Sequence, residues 1–315
     1  MITQRMMIHY AMWSIRTGPE LLFPRSARHF SSSCLCAKHN EDRFHEYSLH
    51  NGSLRKRLRE GTPTIGAITM SYGDTDHVEM LGLLGYDFLW ADSEHSSASP
   101  ESIQRLILAA EGRGMPTIVR IGYGYQNIIG HVQKYLVSGA QGIILPQCES
   151  KADVLKIVDA VKFPPIGKRG LAAERWNAWG LGIEGDTMRD RLRKCNENSI
   201  IAVAIENRKG INALDEILEV EHLDFIFVAP MDLSVDLGYE GNFRHPEVTK
   251  TIEEIGNKIT SKGRTAGMLA INSEDYVYWR ERGFQVMCCW AQYLFLNGAK
   301  DFMKSTSDFE EKTDT

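Results

Sequence analysis

Six ionisable side chains in this sequence fall where they could share a reaction. They are Asp92, Glu94 and His95 in the run FLWADSEHSS, Arg120 at the end of TIVRI, Glu206 closing IIAVAIE, and Asp232 just after FIFVAP. Each stands at or just beyond the end of a short apolar, β-rich run. Two carboxylates such as Glu206 and Asp232, brought into one mouth, repel unless a cation or a shared proton lies between them. With no Cys or His beside them, the pair favours a hard cation that keeps several waters, so Mg²⁺ or Mn²⁺ fits better than structural zinc. Such an ion can chelate a 2-oxo acid and favour the enolate formed when the neighbouring carbon loses a proton or a carbon substituent. Arg120, charged at any working pH, could hold the same developing oxyanion from another side. His95 is the natural proton carrier, with Asp92 or Glu94 to orient its ring. Singly, these residues read equally well as an ion pair, a loop histidine and helix caps. Their common placement after strands is what points to chemistry.

That placement rests on the elements. From Thr64 onward, eight β-rich runs alternate with stretches of helical spacing, which implies βα units and a parallel sheet. The runs are 65–69, 88–92, 117–121, 142–146, 200–206, 225–230, 265–269 and 284–290, preceded by a helix at about 53–60. Eight such units predict an α/β fold of the closed (β/α)8 TIM-barrel kind, whose active sites form at the C-terminal strand ends. The long gap between the fourth and fifth strands leaves room for an inserted loop and an extra helix near 186–197. A doubly wound sheet is disfavoured because no GxGxxG follows an early strand.

Composition sets the bounds. Hydrophobic residues make up 43% and charged residues 24% of the 315, and no apolar stretch is long enough for a membrane span. A net charge of −5 argues against a nucleic-acid surface. The expected partner is a small molecule. The six cysteines show no paired CxxC spacing, so reduced thiols are expected rather than a disulfide framework or a closed zinc site. Residues 1–40 carry five basic residues and one acid and include RHFSSS, the profile of a mitochondrial transit peptide. Matrix and cytoplasmic locations both remain open. The expected organisation is an N-terminal extension over 1–50, a barrel over 51–304 and a polar tail over 305–315.

Several motifs together carry a resemblance to the HpcH/HpaI family of metal-dependent pyruvate aldolases, over roughly 54–303. DSEH at 92–95 resembles the family's D-x-E-H, VR at 119–120 its strand-end arginine, and KFPPIGKRG at 162–170 its F/Y-P-P-x-G-x-R-G loop. PMDLSVDLGYEGNFRHPEV at 230–248 is similar to the family's P-x-D-L-S…G-Y…H-P-E-V segment. The resemblance implies a barrel of the phosphoenolpyruvate/pyruvate type that makes or breaks a carbon–carbon bond between pyruvate and an aldehyde without a lysine Schiff base. Oxaloacetate decarboxylation is a related expectation. By motif position, Glu206 and Asp232 would ligate Mg²⁺ or Mn²⁺, with Co²⁺ a further candidate. His95 would act as base, Arg120 would stabilise the enolate, and Asp92 would support His95. Substrate contacts are expected from Arg120, Pro230, Met231, Gln147 and Trp176. A homo-oligomer, commonly a hexamer, is implied, with the last helix packed on a neighbour.

Three departures stand out. Ala204 replaces a glutamine expected two residues before the metal glutamate. Val137 replaces an aspartate of an intersubunit proton relay. The loop after Gly170 is short and carries Trp176 and Trp179, which either shape the aldehyde pocket or pack on the barrel. A CoA-thioester lyase of the citrate-lyase type and a metal-binding pseudoenzyme are the alternative readings.

Overall fold

The computed structural model describes residues 53–70, 74–122, 128–180 and 187–313. The expectations for residues 1–50, the extension and its targeting role, lie outside these. Eight parallel strands close into a barrel in sequence order: β1 (Thr64–Thr69), β2 (Phe88–Asp92), β3 (Thr117–Arg120), β4 (Gly142–Leu145), β5 (Ile200–Ile205), β6 (Phe225–Val228), β7 (Ala266–Leu269) and β8 (Val286–Trp290). Closure is made by β1 against β8, with Thr64 opposite Val286 and Ile68 opposite Trp290. The TIM-barrel expectation is therefore met.

The strands are apolar throughout because both of their faces are covered. One face, including Leu89, Ala91, Val119, Ile143, Ile201, Val203 and Val228, packs beneath the helices. The other, including Ile68, Phe88, Trp90, Ile118, Ile144, Ala202, Phe225 and Phe227, fills the barrel interior. Large and small residues alternate to fit this space. A Cβ on Gly66 would lie 2.2 Å from Phe88 Cζ, so the glycine of β1 makes room for the phenyl ring.

Helix α1 (Ser53–Arg59) closes the N-terminal end of the barrel. Its Leu54 and Leu58 join the interior cluster, each burial contributing about 1.5–3 kcal/mol. Gln285 Nε2 donates to the carbonyls of Arg57, Leu58 and Thr62, which ties the end of this helix to the chain just before β8. The outer layer holds α2 (Thr75–Leu83), α3 (Pro100–Glu111), α4 (Ile128–Val137), α5 (Lys151–Val161), α6 (Met188–Asn198), α7 (Arg208–Asn212), α8 (Leu214–Leu218), α9 (Pro230–Asp236), α10 (Pro246–Ser261) and α11 (Ser273–Glu281). The fourth-to-fifth gap contains a 3-10 segment, Arg175–Gly180, and α6. The last helix, α12 (Ala291–Thr313), runs through most of the residues expected to form a tail. No described helix is long and apolar enough to cross a membrane.

Candidate active site at the C-terminal rim of the barrel

Parallel pairing sets the first part of the site. The β2–β3 register places Asp92 opposite Arg120, and the two form a buried bidentate pair. Arg120 Nε donates to Asp92 Oδ1 at 3.0 Å, and Nη2 donates to Oδ2. Asp92 Oδ1 also accepts the backbone N–H groups of Glu94 at 2.9 Å and His95 at 3.4 Å, an Asx-type turn that shapes the loop leaving β2. Asp92 is therefore fully engaged. Of the two carboxylates expected beside His95, Asp92 holds the His95 main chain and the arginine rather than the ring. The carboxylate beside the ring is Glu94, whose Oε2 lies 3.7 Å from His95 Nε2 and 3.3 Å from Arg120 Nη1. The His95 side chain is 48% exposed, open to whatever enters the mouth.

Glu206 follows β5 and is 2% exposed. Its Oε2 accepts the backbone N–H of Gln147 at 3.2 Å, while its Oε1 has no hydrogen-bond partner. Burial, then Asp232, then Glu94 push its carboxyl up to about 8, against the opposing pull of Arg120 and the Gln147 N–H. Burial also raises the Glu94 carboxyl, with the charges of Arg120 and His95 acting against the shift. For Arg120 burial alone would favour the neutral form, but Asp92, Glu94 and Glu206 together raise it. The mouth thus gathers Asp92, Glu94, Glu206 and Asp232 around one committed guanidinium.

This donor set fits a divalent cation. An unpaired, buried carboxylate oxygen beside a second carboxylate is the arrangement a hard ion relieves. Among the described residues no three His, Cys, Asp or Glu side chains form a metal-holding group. An ion at Glu206 and Asp232 would draw its remaining ligands from water and substrate.

Other expected site residues are distributed differently. Gln147 has a left-handed backbone, φ 48°, unusual for a side chain of its kind. Its main chain anchors Glu206, and its Oε1 accepts from Asn207 Nδ2 at 2.8 Å. Asn207 is held in turn by Glu149 at 3.0 Å and caps α7 by accepting the Gly210 N–H at 2.9 Å. Pro230 is the first residue of α9, leaving the Met231 and Asp232 amides in a first turn, where N–H groups have no intrahelical acceptor. Trp176 is not brought to the rim. It packs 5.0 Å from Phe163 and 5.1 Å from the Arg169 guanidinium, and its neighbour Arg175 pairs with Glu111 at the end of α3. Helices of a βα barrel carry the chain back to the N-terminal end, so this loop packs there, away from the mouth of its own barrel. Glu94 was expected beside the histidine, but its contact with Arg120, and Asn207 as the brace of Gln147, were missed. Their adjacency to His95 and Glu206 was the available signal.

The raised Glu206 carboxyl has a measurable consequence. Without metal, folded protein keeps this proton up to about pH 8, whereas an unfolded glutamate loses it near 4.5. The native state then holds more protons across that window, so stability falls as pH rises through it. Urea midpoints of chelator-treated protein are expected to decline from about pH 4.5 to 8, and Glu206→Gln to flatten the decline. At the alkaline end Mn²⁺ should raise the wild-type melting temperature and leave that of Glu206→Gln unchanged. Equal slopes in the two proteins would refute the placement of the unpaired carboxyl.

Comparison with known proteins bears on this rim. A sequence model of the HpcH/HpaI aldolase/citrate lyase family matches residues 72–300. The 2-keto-3-deoxy-L-rhamnonate aldolase of Salmonella gallinarum is 31% identical over 227 residues, 71% of this chain and 81% of the relative. The hydroxypyruvate/pyruvate aldolase of Roseovarius nubinhibens is 32% identical over 231 residues, covering 73% and 87% respectively. Among solved structures, citrate synthase SbnG superposes with a TM-score of 0.69 at 29% identity, covering 82% of this chain and 99% of its own. An HpcH/HpaI aldolase/citrate lyase family protein from Burkholderia cenocepacia does so with a TM-score of 0.73 at 26% identity, covering 81% and 99%. With the barrel, the acidic rim and a match across most of the chain, this protein belongs to the HpcH/HpaI aldolase/citrate lyase family.

Proposed function

We propose that this protein is a carbon–carbon lyase that works through a pyruvate enolate, cleaving or forming 4-hydroxy-2-oxo acids as pyruvate plus an aldehyde. The observation that carries the reading is Glu206, buried at the rim with one oxygen unpaired and Asp232 close enough to raise its carboxyl. Its aldolase relatives support the reaction class. Oxaloacetate decarboxylation would use the same enolate.

Glu206 and Asp232 would hold the divalent cation, Mg²⁺ or Mn²⁺ with Co²⁺ also compatible, which when bound supplies Lewis-acid stabilisation of negative charge on the 2-oxo acid. The chain's own residues do the rest. The amides opening α9 receive the substrate carboxylate. His95 takes the proton from the C4 hydroxyl as the C3–C4 bond breaks, with Glu94 Oε2 3.7 Å from its Nε2. Arg120, fixed by Asp92, faces the oxygen on which the enolate charge develops. A proton returned to C3 completes pyruvate.

A homo-oligomer is part of the proposal. Among the described residues, helix α12 leaves Leu296, Phe302 and Met303 exposed, an apolar set at helical spacing, and the family resemblance makes a hexamer the expected state. Light scattering should give a mass several-fold that of the 35.6 kDa chain, and the double substitution Leu296→Asp with Met303→Asp should reduce it. A wild-type protein of monomer mass would remove this part.

Enolate chemistry can be tested before any aldehyde is known. In D₂O with Mn²⁺ or Mg²⁺, the pyruvate methyl signal is expected to fade by proton exchange, and to persist after chelation or in Glu206→Gln and Asp232→Asn. His95→Ala should slow the exchange about 10² to 10⁴-fold. A folded, metal-loaded wild type that leaves the signal intact would overturn the reading and favour a CoA-thioester substrate or a non-catalytic role.

A further inference from the structure

Arg120 has a third neighbour besides Asp92 and Glu94. Trp90 precedes Asp92 by two residues on β2, so both project inward, one layer apart. The Arg120 guanidinium carbon lies 5.6 Å from the centre of the Trp90 ring. Trp90 is 1% exposed and is held edge-to-face by Phe227, with ring centres 4.8 Å apart and planes inclined at 69°. Space for so large a ring comes from small residues elsewhere in the interior, among them Ala202 of the same cluster.

The indole pays a cost here that isolates its role. Its Nε1–H is buried and has no acceptor, and an unpaired polar group in an apolar interior is unfavourable. Leucine or phenylalanine would fill the layer without that cost. Hydrogen bonding therefore does not account for tryptophan at this position, whereas its face does, since indole is the strongest cation–π partner among the side chains. Arg120 is then bounded by carboxylates at its edge and by an aromatic surface within the barrel. That restricts the guanidinium to one orientation at the mouth.

We propose that Trp90 is a positioning residue for Arg120, its indole face forming the surface that fixes the guanidinium for enolate stabilisation. This rests on the enolate reading, and the test separates the two. Trp90→Leu is expected to lower the maximal rate of metal-dependent pyruvate proton exchange about tenfold with little change in KM, and Trp90→Phe, which keeps a weaker face, only about threefold. In an Arg120→Lys background the leucine substitution should cost less than about twofold further, because its target is already gone. Multiplying effects, equal losses in Trp90→Phe and Trp90→Leu, or no loss in Trp90→Leu would overturn the proposal.

A second readout needs no turnover. The Arg120 Nε–H NMR resonance, identified by its disappearance in Arg120→Lys, should move strongly in Trp90→Leu and less in Trp90→Phe. An unmoved resonance in Trp90→Leu overturns the positioning role whatever the catalysis. A wild type without exchange but with the expected shifts would defeat the enolate reading and leave the Arg120–Trp90 contact standing.

Discussion

The site depends on an excess of buried and half-buried carboxylates over cations at one end of a barrel. Asp92, Glu94, Glu206 and Asp232 meet there, and Arg120, the guanidinium beside them among the described residues, is already bound to Asp92. An ionised carboxylate removed from water without a partner is costly enough that it either keeps its proton or takes a cation. Burial and the neighbouring carboxylates push Glu206 toward the first outcome, its carboxyl raised to about 8. The second outcome is the proposed working state.

The fold makes this excess tolerable by building the rest of the site rigidly. Parallel strands deliver their last residues to a common rim, and the register that sets Asp92 opposite Arg120 allows the bidentate pair. Gln147, in an unusual backbone conformation, turns its N–H onto Glu206 while Asn207 and Glu149 fix its side chain. Preorganisation of this kind means that little rearrangement is needed when charge develops on a substrate. His95, left half-exposed, is the group able to reach an incoming proton donor.

Much of this was legible before the structure. Strands covered on both faces read as continuous apolar runs, so all eight could be found, and polar residues at their ends marked the rim. Glu206 and Asp232 were placed by that pattern. What was not legible depends on pairing across strands. Nothing local to DSEH says that Arg120 occupies both oxygens of Asp92 and leaves Glu94 to the histidine, because that follows from the β2–β3 register. The place of Trp176 was open for a different reason. Its aromatic loop suited both a pocket wall and packing on the barrel, and α5 returns the chain to the N-terminal end before the loop begins, where the indole buries itself against Phe163 and Arg169.

The most direct test of the central claim is the number of protons released when Mn²⁺ binds, measured calorimetrically in buffers of different ionisation enthalpy. Near pH 7 a cation that takes the place of the Glu206 proton should release about one proton, with the release vanishing well above pH 8 and absent in Glu206→Gln. Metal binding without proton release near neutrality, or binding unchanged by Glu206→Gln, would contradict the account.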